Sequence, residues 1–167
     1  MTQLAIAFAL MLASVLQAML PTTLWTGWAP APIMAGLVIY FALLRPRAIA
    51  LEVALLAGLI EDSLGQMPLG YSSFCYAVAA LIVEHFRETV IVRQWTTHVM
   101  FGALVSLGVT AFTYALLAKD SLIAPDLGHV LLRLVGAFLL GGVAAPLAFA
   151  GMESLDRTLG NIEVGET

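Results

Sequence analysis

The sequence predicts an all-α integral membrane protein, folded as a six-transmembrane-helix bundle. Apolar residues make up 61% of its 167 residues and charged residues only 11%, whereas soluble domains carry roughly 45–50% and about 25%. A water-soluble fold cannot bury so large an apolar share. Helices of about 20 residues divide this length into about six spans with short connectors. We therefore expect residues 1–167 to form a single membrane domain without a soluble module.

The first two predicted spans flank a loop rich in tryptophan and proline. The first span covers residues 4–20, and because no positive segment precedes it, we expect an uncleaved helix rather than a signal peptide. Trp25 and Trp28 in the loop are typical of the lipid headgroup region. The second span is apolar over residues 32–44, and it either extends back to give residues 28–44 or thins the bilayer locally. It ends sharply at Arg45.

The third and fourth predicted spans form a tight helical hairpin. The third covers residues 48–64 and the fourth covers residues 69–83. Gly65 follows the third span and Pro68 precedes the fourth, and glycine and proline are common at a helix end and a helix start respectively. We expect Gly65 to adopt a positive φ where the third helix stops.

The fifth and sixth predicted spans cover residues 99–118 and 130–149, and a polar tail begins near Glu153. Alternating connectors from an inside N-terminus place five of the seven Lys and Arg residues on the inner side. Since cytoplasmic loops carry an excess of these residues, we expect both termini on the cytoplasmic side. The inner set is Arg45, Arg47, Arg87, Arg93 and Arg157, and the outer set is Lys119 and Arg133.

Small residues recur at four-residue spacing in three of the spans. This spacing puts them on one helix face, where they permit close contact with another helix. Packing within the chain is the favoured interpretation, and a docking face for a partner's transmembrane helix is the alternative. The stripes are Ala5, Ala9 and Ala13, then Ala50, Ala54 and Gly58, and finally Ala137, Gly141 and Ala145.

Glu52 is a carboxylate inside the third span, about one turn from its inner end. A charge at this depth is unfavourable unless it is paired, protonated or able to reach the interface. We expect an ion pair with Arg45, Arg47 or Arg87. Proton or substrate handling and simple snorkelling to the interface are the alternatives.

Asp62 continues the small-residue face of the third span, one turn after Gly58. Its carboxylate should therefore point toward the packed interior or toward a partner. One hypothesis is that it caps the first amides of the fourth helix, between Pro68 and Tyr71. The other is that it accepts a hydrogen bond from a second protein. Glu61 is expected at the aqueous boundary.

Motifs of catalysis and metal binding do not occur in the sequence. No serine nucleophile accompanies a histidine and a carboxylate, and no HExxH motif or Gly-rich phosphate loop is found. His85, His98 and His129 lack metal-ligand spacing, and the single cysteine, Cys75, can form neither an internal disulfide nor a cysteine metal site. We expect no enzymatic activity, no cofactor, no metal and no nucleic-acid binding.

The segment GLIEDSLGQMPLG at residues 58–70 resembles the GLxxD…G…PLG hairpin of the MreD family, bacterial rod-shape-determining membrane proteins. It lies between the third and fourth predicted spans, as that motif does. The LLRP end of the second span, residues 43–46, and the overall length are also similar to the family. The matching residues are Gly58, Asp62, Gly65, Pro68 and Gly70.

The resemblance implies a non-enzymatic scaffold of the cell-elongation machinery in the inner membrane. Its partners would be an MreC-like single-pass membrane protein, the peptidoglycan elongation complex and, indirectly, an MreB-like filament. The family's fold is also similar to the six-helix S-components of energy-coupling-factor vitamin transporters, so a substrate-binding subunit is the alternative. Residues on the outer connectors that could line its pocket are Trp25, Trp28, Glu61, Asp62, Lys119, Asp120 and Asp126.

Overall fold

The computed structural model describes residues 2–20, 31–65, 68–87, 94–119 and 127–158. Within these ranges the chain is all-helical, with six helices and no strand. The helices are α1 Thr2–Met19, α2 Ile33–Leu44, α3 Arg47–Leu64, α4 Tyr71–His85, α5 Trp95–Lys119 and α6 Leu127–Thr158. The predicted all-α class and the six helices are confirmed for this part of the chain. The predicted tryptophan loop lies outside the described residues.

Three helix boundaries differ from the prediction by four residues or more. α2 begins at Ile33 and not at residue 28, so it has only 12 residues, and α5 begins at Trp95 and not at residue 99. α6 continues to Thr158, beyond the predicted end at residue 149 and into the expected polar tail. Met152 and Asp156 are buried there, at 5% and 3% exposure, because the inward face of α6 continues past the last apolar run.

α2 is the centre of the bundle. Its ten residues from Met34 to Leu43 are all buried, and it contacts each of the other five helices. A helix that is apolar on every side is stable only when it is surrounded by protein or lipid. Its length, about 18 Å for 12 residues, is well short of a hydrocarbon core of about 30 Å.

Glycine allows the closest helix contacts. A methyl group at Gly58 would lie 2.2 Å from the Cα of Ser73, so α3 and α4 touch backbone to backbone. A methyl group at Gly102 of α5 would lie 2.3 Å from the carbonyl oxygen of Gly141 in α6. The sequence predicts close approach at Gly58, and the structure confirms it, with α4 of the same chain as the neighbour.

The small-residue stripes face the interior of the bundle. Ala9, Ala13, Ala50, Ala54, Ala137 and Ala145 are all buried. Packing within the chain therefore occupies these faces, as the favoured interpretation predicts. The side chain of Ala5 lies outside the described set.

Large apolar side chains cover much of the outside of α1, α3, α4, α5 and α6. Residues Trp95–Lys119 and Gly128–Arg157 are long and apolar enough to cross a membrane, by length and composition. Only 22% and 33% of their most apolar windows are buried, so they differ from the core helices of a soluble protein. Ile6–Met19 and Ile33–Leu44 are shorter apolar helices.

Candidate functional site

Asp62 caps the first turn of α4. Its side chain is fully buried, with one carboxylate oxygen accepting the backbone N–H of Gly70 at 2.7 Å and the other accepting that of Ser72 at 2.9 Å. The capping hypothesis is therefore the one that the hydrogen bonds support. Both oxygens are engaged within the chain, which leaves no exposed carboxylate atom for a second protein.

The left-handed glycine of this turn is Gly70 and not Gly65. Gly65 has a φ of −82°, in the right-handed region, and its N–H continues the helix by binding the carbonyl of Glu61 at 2.8 Å. The expected positive φ at Gly65 is thus wrong. The left-handed residue is Gly70, with a φ of 104°, because the chain turns into α4 there. Pro68, two residues earlier, is exposed.

Glu52 does not form the ion pair expected from the sequence. It is half-buried and accepts a hydrogen bond from the Gln3 side-chain amide at 3.1 Å. No ion pair links it to an arginine among the described residues. The prediction fails because the nearby arginines, at the α2–α3 turn and the end of α4, have other partners. Arg45 pairs with Asp156, Arg47 pairs with Glu84, and Arg87 donates to the backbone carbonyl of Arg45.

Asp156 is the centre of a polar cluster that the sequence did not predict, at the end of the bundle expected to be inside. Its carboxylate accepts hydrogen bonds from the Tyr40 hydroxyl at 2.6 Å and from the Arg45 guanidinium at 2.8 Å. The sequence predicts only a polar tail that begins near Glu153. Phe149, Met152 and Asp156 are spaced for one helix face, and that spacing was the available signal.

A cavity of about 630 Å³, here named the outer cavity, opens at the opposite end of the bundle, which is the end predicted to be outside. Every helix contributes to it, because α1, α3 and α5 end there while α2, α4 and α6 begin there. Its polar lining residues are Gln17, Glu61, Ser72, Tyr76, Ser106, Thr110, Thr113, Tyr114 and Arg133.

One wall of this outer cavity is built around the Glu61 carboxylate. The buried Tyr76 hydroxyl donates a hydrogen bond to it, and Gln17 interacts with it from α1. The Gln17 carbonyl oxygen in turn accepts the backbone N–H of Met34 at 3.2 Å. Glu61 is therefore half-buried in a protein wall, and not simply exposed at the aqueous boundary as predicted.

The facing wall comes from α5 and α6. The Arg133 guanidinium lies over the Tyr114 ring, 5.4 Å from its centre, which is cation–π geometry. Ser106 is 2% exposed, and its hydroxyl oxygen has no hydrogen-bond partner in the part of the chain that the structure describes. A buried hydroxyl without a partner is unusual and marks a place where water or a ligand can bind.

The other predicted site residues are distributed as follows. Of the expected pocket residues, Glu61 lines the outer cavity, whereas Asp62 and Lys119 do not. Trp25, Trp28, Asp120 and Asp126 lie outside the described residues. His98 stacks on Phe149 at 3.9 Å between ring centres, and His85 and His129 are exposed. Among the described residues no group of three His, Cys, Asp or Glu side chains could hold a metal ion.

No protein-family model matches the chain, and no curated protein and no solved structure is significantly similar to it. Its function must be inferred from its own residues and contacts.

Proposed function

We propose that this chain is a non-enzymatic scaffold of the bacterial cell-elongation machinery, a six-span inner-membrane protein with both termini inside. It binds an MreC-like single-pass partner and supports lateral peptidoglycan synthesis, with an MreB-like filament linked indirectly. The observation that carries the proposal is the MreD-like hairpin. In the structure, Gly58 admits a helix backbone, Asp62 caps α4 and Gly70 adopts a positive φ. These motif residues have the types and spacings that this turn requires.

The charge distribution supports the proposed orientation. The α2–α3 turn and the C-terminal ends of α4 and α6 lie at one end of the bundle, and they carry Arg45, Arg47, Arg87 and Arg157. The described residues at the other end carry only Lys119 and Arg133. The positive-inside rule makes the arginine-rich end cytoplasmic. The exposed apolar faces of five helices would then lie against lipid and partner helices.

The partner's helix would lie in the apolar groove between α5 and α6, which encloses about 790 Å³. Small residues, Ala103 and Gly142, form the floor of the groove, where α5 and α6 contact each other. Val143 and Leu147 line it from α6 and are exposed, at 62% and 67%. The lining is mostly apolar, as is the surface of a single transmembrane helix.

Affinity purification from native membranes, with identification of the bound proteins, tests the scaffold proposal. Val143→Trp should fill the groove and lower capture of the MreC-like partner about tenfold or more at equal amounts of folded protein. Leu131→Trp is the matched control, because Leu131 is also on α6, is equally exposed at 62% and does not line the groove. Equal loss in both variants, or no MreC-like protein bound to the wild type, would contradict the proposal.

A second candidate function is favoured by the outer cavity: a substrate-binding subunit similar to the S-component of an energy-coupling-factor vitamin transporter. Such a subunit needs a pocket with converging polar groups near the outer face, and Glu61, Ser106 and Arg133 converge there. Co-purification of ATP-binding transporter subunits would support it. Capture of an MreC-like protein without such subunits would exclude it.

A further inference from the structure

The outer cavity carries two oppositely charged side chains on separate helices. Glu61 of α3 lies in one wall and Arg133 of α6 in another. No ion pair joins them, or either of them and another residue, within the described part of the chain. Opposite charges that line one cavity without neutralising each other leave room for a ligand that carries both.

Neither charge has an oppositely charged partner among the described residues, and Glu61 also has the Asp62 carboxylate near it. Glu61 is held by the Tyr76 hydroxyl and by Gln17, which supply hydrogen bonds but no positive charge. Arg133 lies over the aromatic face of Tyr114, and no carboxylate pairs with it among the described residues. A half-buried carboxylate is stabilised best by a cation, and a guanidinium binds carboxylates and phosphates through its planar donors.

Ser106 is an independent indication of a ligand. Its hydroxyl is buried in the same lining and lacks a partner among the described residues. Burying a hydroxyl without a hydrogen bond destabilises the fold unless something else binds it. The Ser106 hydroxyl lies against the backbone of Gly141, and a polar ligand that reaches this contact from the cavity would satisfy it.

We propose that the outer cavity binds a small zwitterion, with its ammonium group against Glu61 and its carboxylate or phosphate against Arg133. The volume of about 630 Å³ lies within the range of roughly 300–1,000 Å³ for small-molecule sites. This chemistry has two sources, a free amino-acid-like molecule and the headgroup of phosphatidylethanolamine. Zwitterion binding is independent of the proposed scaffold function. Under the second candidate function the zwitterion would be the transported substrate, and the proposal would then rest on that function.

The test uses the full-length protein in nanodiscs of phosphatidylglycerol, a lipid without an ammonium group. In one arm, free L-amino acids and phosphoethanolamine are added, and in the other the phosphatidylethanolamine fraction of the nanodisc is raised. Ethylamine and acetate serve as half-probes that carry one charge each. The expected result is a dose-dependent rise in Tm with a zwitterion in one of the arms, larger than with either half-probe.

Variants then locate the site. Glu61→Gln and Arg133→Gln should each weaken binding about tenfold or more. Ser106→Ala should weaken it about three- to tenfold, while the ligand-free Tm stays equal or rises because no hydrogen bond is lost. Glu153→Gln, in an exposed ion pair at the other end, should leave the affinity unchanged.

Three results would overturn the proposal: no Tm rise in either arm, an equal rise with a half-probe, or a rise that the three cavity variants leave intact. Ser106→Ala keeps the test decisive if a charge variant fails to fold. Partner capture is measured separately, so a negative result here does not count against the scaffold. Zwitterion binding without ATP-binding transporter subunits would reject the second candidate function alone.

Discussion

The Asp62 carboxylate and the Gly70 backbone N–H are joined by a 2.7 Å hydrogen bond that closes the α3–α4 hairpin. Gly70 makes this bond from a left-handed conformation, with a φ of 104°. The second Asp62 oxygen binds the N–H of Ser72, so a residue of α3 satisfies two of the free amides at the start of α4. The turn therefore depends on the Asp62 cap, which comes from α3, and on the left-handed conformation of Gly70. Substitutions at these two residues should destabilise the turn for different reasons.

Asp62→Ala should lower stability by about 2–3 kcal/mol, because two buried hydrogen bonds to a carboxylate are lost. Thermal unfolding in detergent measures the effect. Ser63→Ala is the control, since Ser63 is exposed and bonds only its own helix. Capture of the MreC-like partner should be unchanged at equal folded protein. Retained stability with lost capture would restore the hypothesis of a direct partner contact.

Gly65→Ala and Gly70→Ala should have opposite effects. Alanine accepts the φ of −82° at Gly65, so the first change should be neutral or stabilise by up to about 1 kcal/mol. At Gly70 alanine would be strained, and the second change should destabilise by about 1–3 kcal/mol. Comparing the two apparent Tm values gives the answer, and a larger loss at Gly65 would refute this account of the turn.

Asp156→Ala should destabilise by about 3 kcal/mol, the low end for a broken buried pair, because Arg45 remains partly solvated. Tyr40→Phe removes one hydrogen bond to the same carboxylate and should cost about 1 kcal/mol. Chemical or thermal unfolding of both variants provides the comparison. If the C-terminal part of α6 had no structural role, neither Asp156→Ala nor a truncation after Met152 would lower stability.

Glu52→Gln should leave stability nearly unchanged or slightly raised. Glutamine keeps an acceptor for the Gln3 amide while removing a half-buried charge that has no arginine partner in the described chain. Apparent Tm and a cell-shape complementation assay are both needed. Normal stability with lost complementation would show that the charge itself is functional.

Reporter fusions test the topology. Fusions at Arg47 and Arg93 should report the cytoplasm, because the predicted topology places both on the side with more Lys and Arg residues. Fusions at Gln66 and Asp120 should report the outer side. A cytoplasmic signal at Gln66 would contradict the six-span arrangement, since α3 and α4 would then not cross the bilayer.

The helical class and most helix ends follow from local sequence. Apolar runs interrupted at Arg45-Pro46-Arg47 and at Gly65 specify separate helices, because proline and glycine act on the backbone within one or two residues. The small-residue stripes also follow, since four-residue spacing is a property of a single helix. The cap at Asp62 could also be predicted from local sequence, because its partners Gly70 and Ser72 are only eight and ten residues away.

The partners of the charged residues, by contrast, depend on how the helices pack. Arg45 binds Asp156 across 111 residues of sequence, and Tyr40 reaches it across 116. The outer cavity likewise joins Glu61, Ser106 and Arg133 from three helices. Helix crossing angles and rotations set these distances, and they result from the sum of many weak side-chain contacts. Periodicity within one helix carries no information about that sum. The sequence therefore predicts an arginine partner for Glu52, whereas in the structure Arg45 pairs with Asp156.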